Sequence, residues 1–304
     1  MRPELEQAAT LLRANTPESV AEAIALLQRT VFAFSMKVCG HPEDAEDTMQ
    51  EVLMRSAPHL ARLSDASALA VWLYTVTRRR CWRMRRKPAG APAQTLSLDD
   101  LIPGEAELAA LAARAEVSPE QSAATGQMTQ LIHRAVLAIP AQYRLVLVLH
   151  DMEDLDAAQI AQVLDLKPGT VRVRLHRARL AVRRAMAALL ATQSVPIAAR
   201  QSDRARKPGR ADKSVQAAPR RPAACREIFA QLSEFLDDRL PQPDCQRIAR
   251  HMEGCPNCVL FLHDLRRAIE RCQSLEAGCD PQIGAALRSQ LTHEYLRLAG
   301  DSAA

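Results

Sequence analysis

A cluster of metal-ligating residue types near the C-terminus constrains the fold of this chain most strongly. His251, Cys255 and Cys258 lie within eight residues of one another, and Cys225 precedes them by one helical segment. Thiolate and imidazole ligands in this number are typical of tetrahedral zinc. A segment this small has little apolar core, so bound metal would supply much of its folding free energy, on the order of 10–16 kcal/mol in comparable peptides.

A Cys-x-x-Cys pair alone is also typical of redox motifs. The nearby histidine and the upstream cysteine favour zinc over a redox pair. The pattern therefore predicts that Cys225, His251, Cys255 and Cys258 are zinc ligands with a structural or regulatory role.

Composition favours a helical protein with more than one domain. A chain of 304 residues is long for a single core, Ala, Leu and Arg are abundant, and aromatic residues make up only 3%. No segment alternates apolar and polar residues as strands do. We therefore expect an all-α protein with two helical domains joined by a linker and a small zinc-binding helical domain at the C-terminus.

Breaks in the helical pattern set the expected domain bounds. Residues 89–127 carry several prolines, and residues 191–224 are rich in Pro, Ala and Arg and lack the apolar surface needed to offset chain entropy. The prediction is a helical domain at 20–88, a linker at 89–127, a second helical domain at 128–190, a disordered basic tether at 191–224 and a zinc-binding domain at 225–304.

Charge is unevenly distributed. Residues 225–304 hold 9 basic and 12 acidic side chains, whereas the whole chain holds 40 basic and 35 acidic ones. The basic N-terminal part suggests a polyanionic partner, and the acidic C-terminal part could lie against it.

No leader-like start and no apolar run long enough for a bilayer are present, so we expect a cytoplasmic protein without membrane contact. Cysteines there are normally reduced, which favours metal ligation or redox sensing over disulfides.

Residues 156–184 have the pattern of a helix-turn-helix. Asp156 and Gln159 form a predicted capping box, and Pro168 is acceptable in the first turn of the second helix. Apolar residues recur along that second helix, and its polar residues fall largely outside the apolar stripe, as in a DNA recognition helix. The predicted DNA-binding residues are Lys167, Thr170, Arg172, Arg174, His176, Arg177 and Arg179.

Two further patterns lie in the N-terminal part. Asp44, Asp47 and Glu51 share one face of a predicted helix, and an acidic face suits a basic helix of a partner.

The second pattern is a basic run: residues 78–87 contain seven basic side chains and no acidic one. Basic and aromatic residues together suit a single DNA strand whose bases are unstacked. The predicted contacts are Arg78, Arg79, Arg80, Trp82, Arg83, Arg85 and Arg86.

These motifs resemble the extracytoplasmic-function sigma factors. Residues 139–147, Ile160-Ala161 and residues 169–179 are similar to region 4, which in that family binds the −35 promoter element. Gln159 stands where the family usually has Glu. Residues 42–53 and 72–87 resemble regions 2.2 to 2.4, which implies that Asp44, Asp47, Gln50 and Glu51 dock on the β′ coiled coil of RNA polymerase. The resemblance implies further contacts with the β flap, and recognition of the −10 element by residues 78–87.

The C-terminal segment resembles the zinc-binding anti-sigma domain, which is normally carried by a separate protein. Here it is fused in cis, where a tether of about thirty residues lets it fold back at high effective concentration. The fused domain could inhibit the sigma regions, activate them or sense a signal. Cys245, Cys272 and Cys279 are either ordinary thiols or part of a second metal or redox site, since some members of the sigma family carry a cysteine-rich sensing tail.

The whole pattern indicates a promoter-specificity subunit of bacterial RNA polymerase with a zinc domain that regulates it, and not an enzyme. The alternative is a stand-alone helix-turn-helix regulator with a metal- or redox-sensing tail, which leaves residues 42–87 unexplained. A zinc or redox enzyme is disfavoured because all four predicted ligand positions are filled by protein side chains.

Overall fold

The fold is described from a computed structural model that covers residues 2–60, 63, 65–84, 95–104, 107–109, 111, 125–193, 222–275 and 285–301. In these ranges every regular element is helical, which confirms the all-α prediction. The helices are α1 (Pro3–Ala14), α2 (Pro17–Cys39), α3 (Pro42–Met54), α4 (Ala57–Leu60), α5 (Ala66–Met84), α6 (Leu98–Leu101), α7 (Thr125–Ala138), α8 (Ala141–Leu147), a π-helical turn (Val148–Met152), α9 (Ala157–Leu164), α10 (Pro168–Gln193), α11 (Ala223–Leu236), α12 (Gln242–Gly254), α13 (Pro256–Gln273) and α14 (Ala285–Asp301). None of the helices in the described ranges combines the length and apolarity that a membrane crossing requires. Residues 194–221 of the predicted tether and much of the predicted linker at 89–127 lie outside the described residues, whereas the two ends of the tether are helical, because α10 continues to Gln193 and α11 begins at Ala223.

Local capping explains where the main helices begin and end. Thr16 caps α2, with its side chain and that of Ser19 each accepting from the other's backbone N–H, and Gly40 ends the helix at φ 79°. Asp156 caps α9 in the predicted way: its Oδ1 accepts from the backbone N–H of Gln159 at 2.8 Å, and Gln159 Oε1 accepts from that of Asp156 at 3.0 Å. The predicted capping box is therefore confirmed.

The chain divides into two compact units. The first unit comprises residues 1–94, 140–175 and 273–304, and the second comprises residues 95–139 and 176–272. In the first unit, α2 packs against α1, α3 and α5, and α9 packs on α5. Phe34 on α2 and Tyr74 on α5 lie in this core with ring centroids 5.0 Å apart.

Glu153 joins three parts of the first unit. It follows the π-helical turn and is buried, and its Oε1 accepts a hydrogen bond from Lys37 Nζ on α2 at 2.8 Å. Its Oε2 accepts from Tyr74 Oη on α5 at 2.7 Å and lies 3.1 Å from Arg2 Nε. Burial lowers the pKa of Lys37 despite the attraction of Glu153. A buried carboxylate with this set of partners links the segment before α9 to α2 and α5.

The helix α14 packs within the first unit, although it follows the zinc-binding segment in sequence. It contacts α2 and α4, and buries Leu291, Thr292 and Tyr295. Tyr295 Oη donates to the carbonyl oxygen of Leu12 at 3.1 Å. No sequence pattern predicted this packing, because an amphipathic helix does not reveal which distant surface its apolar face covers.

In the second unit, α11 and α13 face each other through aromatic rings. Phe229 and Phe261 are buried and meet edge to face with centroids 4.7 Å apart, the preferred geometry for aromatic pairs. Ile228, Leu232 and Leu265 are also buried.

Candidate recognition helix and metal centre

The four predicted zinc ligands come together in the second unit. Their ligand atoms all lie within 4.8 Å of one another. Cys225 Sγ is 3.6 Å from His251 Nε2 and 4.0 Å from Cys255 Sγ, and His251 Nε2 is 3.3 Å from Cys258 Sγ. The described residues contain one cluster of this kind, and it is the one the spacing predicted.

Three helices deliver these side chains. Cys225 lies in the first turn of α11, His251 in the last turn of α12, and Cys258 in the first turn of α13. Cys255 occupies the junction between α12 and α13, where its carbonyl oxygen accepts from the backbone N–H of Cys258 at 3.0 Å. The tight turn at the junction therefore places Cys255 and Cys258 on the same side.

The geometry and chemistry of the cluster fit a zinc ion. Zn–S bonds of about 2.3 Å and Zn–N bonds of about 2.0–2.1 Å in a tetrahedron put the ligand atoms roughly 3.5–3.8 Å apart. The distances within the cluster fall close to that range. Burial, together with the neighbouring Cys255 and Cys225, raises the pKa of the Cys258 thiol well above its usual value. Ionising several thiols here would require a cation, and Zn²⁺ supplies that charge.

Two other cysteines of the C-terminal part, Cys245 and Cys272, are described and are not members of this cluster. Cys245 is partly exposed on α12, and its thiol donates to the carbonyl oxygen of Leu240 at 3.6 Å. Cys272 is buried at the end of α13, and Cys279 lies outside the described residues. A second metal or redox site formed by these three residues stays a prediction.

The helix-turn-helix consists of α9 and α10. Asp165 ends α9 with the left-handed φ of 56°, and Pro168 stands at the start of α10, as predicted. Gln159 has a second contact besides the cap, because its Nε2 donates to Ser67 Oγ on α5 at 2.7 Å. A glutamate could cap the helix in the same way but has no N–H to donate to Ser67, which gives the departure from the family pattern a local role.

The predicted DNA-binding residues of α10 divide into three groups by exposure. Lys167, Thr170 and Arg172 are exposed, and Arg174 and Arg177 are half-buried. His176 and Arg179 are buried, with Arg179 only 1% exposed. His176 and Arg179 lie outside the predicted apolar stripe, but they are nevertheless buried, which the sequence pattern did not predict.

Residues of α11 cover these two side chains. His176 Nδ1 and Ser233 Oγ form a hydrogen bond of 2.9 Å. Arg179 binds Asp237 through two parallel contacts, Nη1 to Oδ2 at 3.0 Å and Nη2 to Oδ1 at 2.8 Å, and Nη1 also donates to the carbonyl oxygen of Ser233 at 3.3 Å. Bidentate pairing of this kind is the strongest arrangement available to arginine and a carboxylate.

Arg183, one helical turn further along α10, extends the same interface, and it was not among the predicted site residues. It is buried, and its Nη1 donates to Asp264 Oδ2 on α13 at 3.0 Å. It also pairs with Glu107, and its guanidinium lies 4.5 Å from the centroid of Phe261. The acidic balance of residues 225–304 was the available sequence signal, but it did not identify which arginines would be paired.

The predicted polymerase-binding residues lie on α3. Asp47 and Gln50 are exposed, and Asp44 and Glu51 are half-buried. Glu51 Oε2 lies 2.6 Å from Arg80 Nε, and its Oε1 lies 3.2 Å from Arg55 Nη1. Met54 is exposed at the end of the same helix, with 51% of its surface accessible. The face therefore combines carboxylates, an amide and one apolar side chain.

The basic run is described only at its start. Arg78 and Arg80 are half-buried on α5, and Arg79 is exposed. Trp82 and Arg83 lie on α5, but their side chains are outside the described part, as are Arg85 and Arg86 in full. Their predicted role in binding single-stranded DNA stays a prediction.

Comparison with protein families matches three segments of the chain in order. Residues 23–90 match the family described as "Sigma-70 region 2", and residues 129–182 match "Sigma-70, region 4". Residues 225–258, which begin and end on predicted metal ligands, match the family described as "Putative zinc-finger".

Curated relatives match about half of the chain. The ECF RNA polymerase sigma factor SigW of Bacillus subtilis is 25% identical over 177 residues, covering 55% of this chain and 88% of SigW. The probable RNA polymerase sigma factor RfaY of Xanthomonas campestris is 28% identical over 174 residues, covering 56% of this chain and 41% of that protein. The ECF RNA polymerase sigma-E factor of Escherichia coli K12 is 25% identical over 144 residues, covering 46% and 72% of the two chains.

Two helical regions in this order, with a helix-turn-helix in the second, define a transcription initiation factor. The chain matches both regions of the sigma-70 family in order, is similar to extracytoplasmic-function sigma factors, and carries an anti-sigma-like zinc-finger segment at its C-terminus. That family acts with RNA polymerase and promoter DNA and is not a family of enzymes.

Proposed function

We propose that this sigma factor directs RNA polymerase core to specific promoters and that its fused zinc domain inhibits it in cis. In this proposal residues 42–54 dock on the β′ coiled coil, region 4 contacts the β flap, and the two regions recognise the −10 and −35 elements. The observation that supports inhibition best is the burial of His176 and Arg179 against Ser233 and Asp237.

The zinc domain competes with DNA for the same arginines. Arg179 and Arg183 are side chains of a type that holds phosphates in DNA complexes, and here Asp237, Asp264 and Glu107 neutralise them. A helix that enters the major groove needs free space on both of its sides. Beside His176, α11 occupies the space on one side of α10. Region 4 would therefore have to leave α11 before it engages the −35 element.

The last helix adds a second contact in cis. The helix α14 packs on α2 and α4 and buries Tyr295 there. Both helices belong to the part of the chain that matches Sigma-70 region 2. The polypeptide that carries the zinc domain thus holds region 4 at one end and region 2 at the other, as expected for an internal inhibitor.

Zinc is the proposed cofactor, held by Cys225, His251, Cys255 and Cys258. The ion would cross-link α11, α12 and α13, so that Ser233 and Asp237 are presented on a fixed surface. All four ligand positions are protein side chains, which is typical of structural zinc sites. The metal therefore supports the inhibitory surface and has no catalytic task in this proposal.

A matched pair of substitutions in the full-length protein tests the inhibition. Asp237→Asn removes the carboxylate that binds Arg179, and the closed state should lose about 2 kcal/mol. Asp238→Asn changes the next residue in the same way, but Asp238 is exposed and its left-handed φ of 53° suits asparagine. With core RNA polymerase, promoter-specific transcription should rise for Asp237→Asn and stay unchanged for Asp238→Asn.

Either of two results would contradict the proposal. Failure of the full-length protein and of both variants to bind core polymerase would reject the sigma-factor role itself. Core binding with equal transcription from Asp237→Asn and the unmodified protein would reject only inhibition by the zinc domain.

A further inference from the structure

The side chain of Val173 lies exposed on α10, with 52% of its surface accessible. Among the described residues it is one of two large apolar side chains that are exposed, the other being Met54. Single exposed apolar residues are common on proteins, so exposure alone has little meaning. The position of Val173 within the recognition helix is what gives it significance.

Val173 lies on the outer face of α10. Val171, Leu175 and Ala178 are buried and form the packed stripe of the helix. Residues three and four positions apart share a helix face, so Val173 is grouped with Thr170 and with Arg177. Thr170 is exposed and Arg177 is half-buried. Side chains in the first turns of a recognition helix are those that reach base edges in the major groove.

Stability of the free protein does not account for valine at this place. Valine is a poorer helix former than the arginines on either side of it, because its branched side chain loses rotamer freedom in a helix. At an exposed position no packing offsets that loss. A partner that covers the side chain would supply the missing contact.

The space beside Val173 is open on the N-terminal side. A Cβ atom built on Gly169 would meet no heavy atom within 4 Å. Gly169 lies one helical turn before Val173, on the same face of α10. This part of the helix can therefore be approached closely, in contrast to the part around His176, which α11 covers.

We propose that Val173 packs against the C5-methyl group of a thymine in the −35 element and so determines the preferred base at that position. Thymine is the base that presents an apolar group in the major groove, where alanine, threonine methyl and other apolar side chains contact it. The flanking Arg172 and Thr170 would supply polar and phosphate contacts around this apolar one. The inference rests on the proposed function, since it requires region 4 to bind promoter DNA.

Removing one methyl group from the DNA tests this contact. Full-length protein and core RNA polymerase are used to select a −35 element from a randomised promoter library. Each thymine of the selected element is then replaced by deoxyuridine, which lacks only the C5-methyl group. Binding of the unmodified holoenzyme should weaken about fourfold at one thymine, the value expected for one buried methyl. With Val173→Ala the same replacement should have no effect.

Arg172→Ala is the control for a general loss of binding. It removes a side chain positioned for phosphate, so it should weaken all sequences alike and reduce the salt dependence, while the methyl effect persists. Val173→Ala favours the helix and should fold normally. A selected element without thymine, or a methyl effect equal in the unmodified protein and Val173→Ala, overturns the inference. If the unmodified holoenzyme binds no promoter, the selection is repeated with Asp237→Asn, which frees region 4 from the zinc domain. Absence of promoter-specific binding by that variant as well overturns the proposed function.

Discussion

Arg179 of the recognition helix and Asp237 of the zinc domain form a bidentate ion pair with nitrogen-to-oxygen distances of 2.8 and 3.0 Å. Arg179 is buried, and Asp237 is largely covered. A buried arginine needs such a partner, because an unpaired charge in this position costs several kcal/mol. Separation of the two helices therefore requires that another group, such as a DNA phosphate or water, takes over Arg179.

The contact between His176 and Ser233 should weaken in acid. Burial, followed by the positive charges of Arg179 and Arg177, lowers the pKa of His176 from 6.5 to about 4. Below pH 6.5 the exposed histidine of an opened protein takes up a proton that the closed form does not bind. The closed form therefore loses stability as pH falls from 6.5 towards 4, by about 1.4 kcal/mol at pH 5.5.

Hydrogen exchange of α11 in the full-length protein measures this effect. His176→Gln keeps a hydrogen-bonding side chain but does not titrate, and comparison at the same pH cancels the intrinsic pH dependence of exchange. Protection of residues 228–237 should fall between pH 7.5 and 5.5 in the unmodified protein more than in His176→Gln. Equal loss of protection in both proteins would show that His176 does not control the contact.

Zinc loss should open the protein. Cys255→Ser removes a predicted ligand, so metal content should fall from one zinc per chain to near zero and α11 to α13 should lose their protection from protease. Without this support His176 and Arg179 become accessible, and promoter-specific transcription should rise. Cys245→Ser is the matched control, since the Cys245 thiol donates to the Leu240 carbonyl oxygen and is not a member of the cluster. Full zinc content in Cys255→Ser would exclude the proposed ligand set.

Glu153 should be important for the stability of the first unit. Glu153→Gln keeps the shape of the side chain but leaves Lys37 buried without its counter-ion, which should destabilise this unit by about 3–5 kcal/mol. The urea midpoint followed by circular dichroism should decrease clearly. Glu46→Gln, at an exposed position of α3, should leave it unchanged. Replacing both Lys37 and Glu153 by methionine should recover much of the loss, and a double variant weaker than Glu153→Gln would argue against a simple charge effect.

Met54 should contribute to polymerase binding. It is 51% exposed and lies at the end of α3, one turn from Gln50 and Glu51. Burying half of a methionine side chain against a partner gives about 1 kcal/mol. Met54→Ala should therefore weaken core binding about fivefold in a fluorescence titration. Val173→Ala removes the other exposed large apolar side chain and should leave core binding unchanged, so an equal effect of both would contradict a specific role for Met54.

Local patterns predicted the candidate site well where the chemistry is close in sequence. The spacing of His251, Cys255 and Cys258 identified three members of the metal cluster, and the cap formed by Asp156 and Gln159 identified the start of the helix-turn-helix. Both features depend on the 3.6-residue repeat of the helix and on side chains that reach their own backbone. Such features are readable from sequence because the interacting groups are only a few residues apart.

Whether an individual polar residue is buried or exposed could not be predicted from local patterns. A basic residue outside the apolar stripe of α10 is solvent-exposed on an isolated helix, and His176, Arg179 and Arg183 met this description equally. Their burial depends on Ser233, Asp237 and Asp264, which lie more than fifty positions later. Charge balance indicated only that the C-terminal part could lie against the basic part.

The sequence by itself determined the all-helical class, the resemblance to sigma factors and the four side chains that form the metal cluster, because helix periodicity, caps and ligand spacing are local properties. Only the tertiary structure decided that α11 covers one half of the recognition helix while Val173 stays exposed, that Glu153 is buried between Lys37 and Tyr74, and that α14 packs on α2. The physical reason is that amphipathic helices specify a face to bury but not the partner that buries it. Partner choice depends on shape and charge complementarity between segments that are distant in the chain.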